Sequence, residues 1–153
     1  MSLSSYQIKY KRPTVDAFIA LRASIGWGKT DKNLAKVSLA NSLFHVTVYR
    51  ENEQEQLNEL IGMGRVVGVG AMYFYLQDVV VAPHCQGQGI GELVMKELEI
   101  YLANTASKGA TIGLLSAKGK ENFYRRFGYL TRPNDSLGNG MCKFVRLITR
   151  VWY

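Results

Sequence analysis

Apolar and polar positions recur with two different periods along this chain, and the changes of period mark out its elements. Phe44, Val46 and Val48 alternate with His45, Thr47 and Tyr49, the period-two signature of a half-buried strand, with His45 on its solvent-facing side. Tyr6 to Tyr10 reads as a short first strand and Thr111 to Leu115 as an apolar one. The run Met72 to Val81 shows little clean alternation, which predicts a central strand buried on both faces. Arg65 to Gly70 opens the strand before it, and its glycines predict a bulge or a close backbone approach. Tyr129–Arg132 and Met141–Arg150 read as closing strands, joined by a turn-rich link through Pro133 and Gly140. Glu51 to Glu59 is polar and acidic and reads as a long loop.

Helical spacing appears in four places. Pro13, Thr14 and Asp16 mark a helix start whose buried face is Val15, Phe18, Ile19 and Ile25, broken at Gly26-Trp27-Gly28. Asp31 to Ala40 follows, with Leu34, Val37 and Leu39 apolar. Ile90, Leu93, Val94, Leu98, Tyr101 and Leu102 define a third helix, with Glu92 and Lys96 paired on its other face and Lys108-Gly109 at its end. A short fourth helix carries Phe123, Tyr124 and Phe127, and Gly128 caps it.

The candidate chemistry lies where the central strand meets the third helix. After Val81 come Ala82-Pro83-His84-Cys85 and then Gln86-Gly87-Gln88-Gly89-Ile90-Gly91. Glycines before a helix let the backbone approach a ligand closely, and the helix start offers unpaired N–H groups with partial positive charge. Together these make a seat for a pyrophosphate, although a Gly-rich turn that merely connects two elements has the same composition. A dinucleotide fingerprint fails, because Glu92 stands where the third glycine belongs. Gly28-Lys29-Thr30 ends like an NTPase phosphate loop, but Thr14 to Ile25 before it looks helical where that motif needs a strand.

The pattern that fits is Q/R-x-x-G-x-G/A, filled by Gln86, Gly89 and Gly91 after Val81-Ala82-Pro83. With Asn122-Phe123-Tyr124-Arg125-Arg126-Phe127-Gly128-Tyr129 downstream, the chain resembles the GNAT acetyltransferase superfamily, well from about Arg65 to Tyr129 and by element order before that. The resemblance implies an α/β (α+β) GNAT fold. Its mixed central sheet would have about six or seven strands, a splayed parallel pair and about four flanking helices, in a single domain over residues 1–153. It implies acetyl-CoA as co-substrate and no metal. The diphosphate would sit on Gln86, Gly87, Gln88, Gly89, Ile90 and Gly91, and pantetheine along the bulged strand at Val79, Val80 and Val81. A freed N–H there would polarise the thioester carbonyl. Tyr124 would protonate the leaving thiolate, since a phenol O–H remains protonated where a thiol has ionised. Trp27, Tyr73, Tyr75 and Asp78 are acceptor-site candidates; packing of a large side chain is the plain alternative for Trp27. The chain departs from the family pattern twice. Ala117 stands where many members carry an Asn, so that contact is either lost or taken by Ser116 or Lys118. Gln77 stands where many carry a Glu, and an amide is no general base.

Composition narrows the reading. The 153 residues suit one domain, and no stretch approaches a membrane span or a signal peptide, so a cytoplasmic protein is expected. The net charge of +7 fits attraction of a polyanionic cofactor, or simply a basic surface. Lys and Arg are scattered rather than blocked, which argues against nucleic acid. Cys85 and Cys142 lack metal spacing and do not form a disulfide framework. The function expected is acetyl transfer to a small-molecule amine. A protein or peptide acetyltransferase and a non-catalytic acyl-CoA binding module are the alternatives, and the family allows a homodimer.

Overall fold

The computed structural model describes residues 6–51 and 58–145. It divides between Leu114 and Leu115 into two compact units. The first holds a five-stranded mixed sheet in the order β1-β2-β3-β4-β5. Its strands are β1 (Tyr6–Lys9), β2 (Phe44–Glu51), β3 (Asn58–Gly68), β4 (Tyr73–Val81) and β5 (Thr111–Leu114). The first three pairings are antiparallel and β4–β5 is parallel, as a strand–helix–strand crossover requires. Its helices are α1 (Val15–Ser24), α2 (Lys32–Ala40) and α3 (Ile90–Thr105). Among the described residues, the second unit holds one short helix, α4 (Glu121–Arg125). No helix among the described residues is long and apolar enough to cross a membrane.

The helix starts follow local chemistry. Thr14 accepts a hydrogen bond from the Ala17 N–H at 3.2 Å, and Asp31 accepts one from Leu34 at 2.9 Å. The buried faces shift from those the sequence spacing marks. In α1 they are Phe18 and Leu21, with Val15, Ile19 and Ile25 only partly covered. In α2 they are Ala35 and Leu39, while Leu34 and Val37 are exposed. The α3 face is nearer expectation: Ile90, Val94, Met95, Leu98 and Leu102 are buried, and Tyr101 stacks on Phe44 at 4.2 Å. This helix ends at Thr105, four residues before Gly109.

Close packing of α3 on β3 depends on two glycines. A Cβ at Gly62 would lie 2.8 Å from Ile90 Cγ2, and one at Gly64 would lie 2.7 Å from Val94 Cγ1. Within Arg65–Gly70 the expected close backbone approach is at Gly68, where a Cβ would lie 2.4 Å from the Tyr73 carbonyl oxygen, and a second close approach lies upstream at Gly62 and Gly64. It also explains why β3 begins at Asn58, well before Arg65: Leu60 to Gly64 is a strand whose alternate positions are bare backbone. Glu51, Asn58 and Glu59, expected in a loop, are strand ends, and residues 52–57 lie outside the described set.

Among the described residues there are five strands, against the expected six or seven. Tyr129–Arg132 forms no strand, because its backbone and side chains are engaged locally. The Tyr129 N–H donates to the Tyr124 carbonyl, and Thr131 Oγ1 accepts from Arg125. Downstream, Asn134 Oδ1 accepts from the Ser136 and Leu137 N–H groups, an alternative to a ladder. Residues 141–145 form no strand either, and the rest of Met141–Arg150 lies outside the described residues.

Candidate functional site

β4 organises the site, and it does so through one irregularity. Burial along it alternates strictly, with Phe74, Leu76, Asp78 and Val80 buried, so the strand is not buried on both sides at each position as its apolar run suggests. The register with β3 changes between Met63 and Arg65: Met63 faces Val80, but Arg65 faces Gln77. β4 thus carries one extra residue, a bulge, and Asp78 within it has φ of 53°. The bulge inverts the strand's facing. Leu76 is opposite Val66, which lies two residues from Gly64 and so on the α3 side. Val80 is opposite Met63 on the other side, the side on which Arg65 reaches α2 through the Ser38 carbonyl at 3.2 Å.

The bulge coincides with the end of parallel pairing. β4 and β5 pair from Tyr73–Thr111 to Leu76–Leu114, and β4 continues for five residues beyond Leu76 without a partner on that side in this unit. The Ala82 N–H donates to the Ile61 carbonyl at 2.7 Å. By the period-two rule, the polar backbone of Val80 is then committed to β3 as well, and that of Val79 and Val81 points to the open side. Gln86 Nε2 already donates to the Val81 carbonyl at 3.0 Å, which ties the loop to the strand end. Of the three valines, Val79 and Val81 therefore turn backbone to the open side and Val80 does not.

Pro83–Cys85 form a 3-10 turn, and Gln86 to Gly89 are exposed. Gly87 and Gly89 have φ of 77° and 82°, and a Cβ at either would meet nothing within 4 Å, so the loop is bent by glycine around open space. Gly89 is the N-cap of α3 and no side chain caps the helix, leaving the N–H groups at Ile90 and Gly91 for an anion. Tyr6, at the edge of the sheet, donates to Gln88 Oε1 and steadies the loop.

The acceptor-site candidates share the opposite side. Tyr75 is in register with Val67, on the face that carries Arg65, and Tyr73 follows it by period two. Asp78 is 3 % exposed and is gripped by Arg22 of α1 and by Arg65, whose Nε lies 2.7 Å from Oδ2. Arg22 also stacks on Trp27 at 5.1 Å and donates to Thr30 at 3.3 Å. Trp27 and Asp78 are thus joined through one guanidinium. Neither arginine is marked as a site residue by motif. The available signal was a lone cation in Gly64–Val67 beside a lone anion in Leu76–Val81, two apolar strands that pair.

In the second unit, Tyr124 packs edge-on against Phe123 at 5.1 Å and Tyr129 at 6.4 Å. Burial pushes its phenol above the ordinary value of 10.0. Gly128, with φ of 90°, closes the helix as expected. Ser116 Oγ donates to the Ala117 carbonyl at 2.8 Å, and Lys118 is exposed.

His45 is not solvent-facing. It is 9 % exposed, opposite Arg65 in register, with Nε2 at 3.1 Å from the Leu39 carbonyl. Desolvation, aided by Arg65 and Arg12 and opposed by the Leu39 hydrogen bond, holds it below its ordinary value of 6.5. The neutral ring donates through Nε2, and Nδ1 is left without a partner. Below pH 6.5 the unfolded chain takes up a proton that the folded chain resists, so stability falls as pH drops through that value. Thermal midpoints measured from about pH 8 to pH 5 should decline on the acid side, and His45→Gln should flatten the decline.

A glycine cradle at an uncapped helix, a bulged strand and a half-paired parallel couple define an acyl-transferase fold. Residues 42–130 match the Acetyltransferase (GNAT) domain model, and the chain belongs to that family. It is 28 % identical over 115 residues to "Uncharacterized N-acetyltransferase ycf52" of Porphyra purpurea, covering 75 % of this chain and 64 % of that protein. It is 27 % identical over 125 residues to "Serotonin N-acetyltransferase 2, chloroplastic" of rice, covering 81 % and 60 %. The chain thus spans under two thirds of the length of these relatives. Among solved structures, a Staphylococcus aureus protein described as "Probable Acetyltransferase" superposes with a TM-score of 0.77 at 29 % identity, covering 91 % of this chain and all of that one. A GNAT family acetyltransferase of Streptococcus pneumoniae gives 0.69 at 27 %, covering 93 % and 99 %.

Proposed function

We propose that this chain moves an acetyl group from acetyl-CoA to the primary amine of a small molecule. The observation that carries the reading is the bulge of β4 beside a C-terminal half that pairs with β3 and has no partner on its β5 side in this unit, where the Val79 N–H would meet a thioester carbonyl. Residues 86 to 91 would hold the diphosphate, and Val79 and Val81 the pantetheine, as an added strand. Acetyl-CoA supplies the activated acyl group. The neutral amine nitrogen attacks the thioester carbon, and the carbonyl oxygen gains negative charge that the Val79 N–H stabilises. The C–S bond then breaks and the thiolate takes the Tyr124 proton. The new amide nitrogen releases its extra proton to solvent, from which the phenolate is reprotonated. Direct attack requires both substrates bound together.

Trp27, Tyr73 and Tyr75 supply aromatic surface for the acceptor, and the rice relative is named for an aromatic amine. The peptide alternative keeps one specific support: a soybean relative 28 % identical over 124 residues is named "Histone acetyltransferase TAP1". A cytoplasmic setting belongs to the proposal, and three relatives are named chloroplastic. The test is a panel of arylalkylamines, antibiotics and lysine peptides with acetyl-CoA, reading free thiol. Release that depends on a small amine, with higher kcat/KM than any peptide, supports the reading. A preference for peptides moves the assignment to them. Binding of coenzyme A without release for any amine rejects catalysis.

A further inference from the structure

Asp78 is the one non-glycine residue with positive φ among the described residues. A left-handed residue costs about 1–2 kcal/mol and persists only where its surroundings hold it. Here the hold is visible. Arg65 comes from the strand that faces the bulge, and its guanidinium is further fixed by the Ser38 carbonyl at 3.2 Å and Ser42 Oγ at 3.0 Å. Arg22 comes from α1, lies against the rings of Phe18 and Trp27, and engages the other carboxylate oxygen. A buried ion pair adds little net stability over apolar residues of the same size, so its best-attested use is to specify one geometry.

We propose that Asp78, clamped between Arg22 and Arg65, is a positioning residue of the acetyl-transfer site. It fixes the bulge so that the next N–H, that of Val79, is aimed at the acyl carbonyl. Through Arg22 the same carboxylate ties Trp27, and with it the Gly26-Trp27-Gly28 turn after α1, to that point. The inference rests on the acetyl-transfer reading and adds to it the element that aligns donor and acceptor. Both carboxylate oxygens face cations and the side chain is 1 % exposed, so Asp78 does not serve as the base that meets an incoming ammonium.

The experiment compares wild type with Asp78→Asn, which keeps shape and tolerance of positive φ but removes the charge, and with Arg22→Gln and Arg22→Lys. Asp78→Asn should lower kcat about 100-fold, the scale of one lost oxyanion donor, with KM for acetyl-CoA unchanged. Its pH–rate profile should keep the wild-type shape. Arg22→Gln should lower kcat and raise the acceptor KM, with partial rescue by Lys. Hydrogen–deuterium exchange needs no turnover, and in Asp78→Asn it should rise over residues 76–82 and not in α3. Full activity in Asp78→Asn, loss of the acidic limb of its profile, or unchanged exchange at the bulge each overturns the positioning role. A wild type that binds coenzyme A but acetylates nothing counts against the acetyl-transfer reading alone, and the exchange result then decides this one.

Discussion

Tyr124→Phe is expected to lower kcat by about 100-fold or more, the usual scale for losing a general acid, and to leave KM for acetyl-CoA unchanged. The phenol is the one group of α4 with a proton suited to a departing thiolate. Burial raises its pKa above 10.0, so the proton stays in place across the working pH range. The substitution keeps the ring and its edge-on contacts with Phe123 and Tyr129, so folding should not change. A donor whose leaving thiol is already a weak base needs less help, and the deficit should shrink with such a thioester. Single-turnover thiol release measures both effects. If Phe releases thiol as fast as Tyr with both donors, the proton comes from elsewhere.

Arg65→Met is expected to destabilise the fold by about 3–5 kcal/mol, because it removes one partner of a buried carboxylate. Arg65 is 8 % exposed and makes three hydrogen bonds, to Asp78, Ser38 and Ser42. The substitution leaves Asp78 with Arg22 alone and leaves the Ser38 carbonyl without this donor. By contrast, Lys32→Met should leave the unfolding midpoint unchanged, since Lys32 and Asp16 are both well exposed in their ion pair. Urea unfolding of the two variants is the measurement. An Arg65→Met change below about 1 kcal/mol would mean that water replaces the guanidinium, and the site is wetter than the packing indicates.

The parts legible in the sequence were those written in local chemistry. Thr14 and Asp31 announce helices by their caps, Gly89 and Gly128 announce backbone turns, and the spacing from Ile90 to Leu102 shows α3. Parts that depend on partners were not legible. Leu34 and Val37 have helical spacing, yet only Ala35 and Leu39 of α2 are buried, because the neighbour rather than the periodicity selects the face. Gly62 and Gly64 hide a strand, since their value lies in the room they give α3. His45 alternates like a surface residue, but α2 covers it. The bulge itself has no sequence marker: Asp78 reads as a polar residue in a valine strand until the register with β3 is known. Local chemistry marked the Gly loop as a candidate and the resemblance added Tyr124, while the arginine clamp is a feature of this chain's own packing.

The half-turn that β4 makes at Asp78 divides labour along one strand. Upstream, the buried Phe74 and Leu76 face the helix that would carry the cofactor cradle, while Tyr73 and Tyr75 face the layer that would receive the acceptor; downstream, the buried Val80 lies on that second side instead. Libraries aimed at new amines can therefore vary Trp27, Tyr73 and Tyr75 while the nucleotide seat stays untouched. Deleting a single residue at the twist would exchange the two flanks and erase both at once.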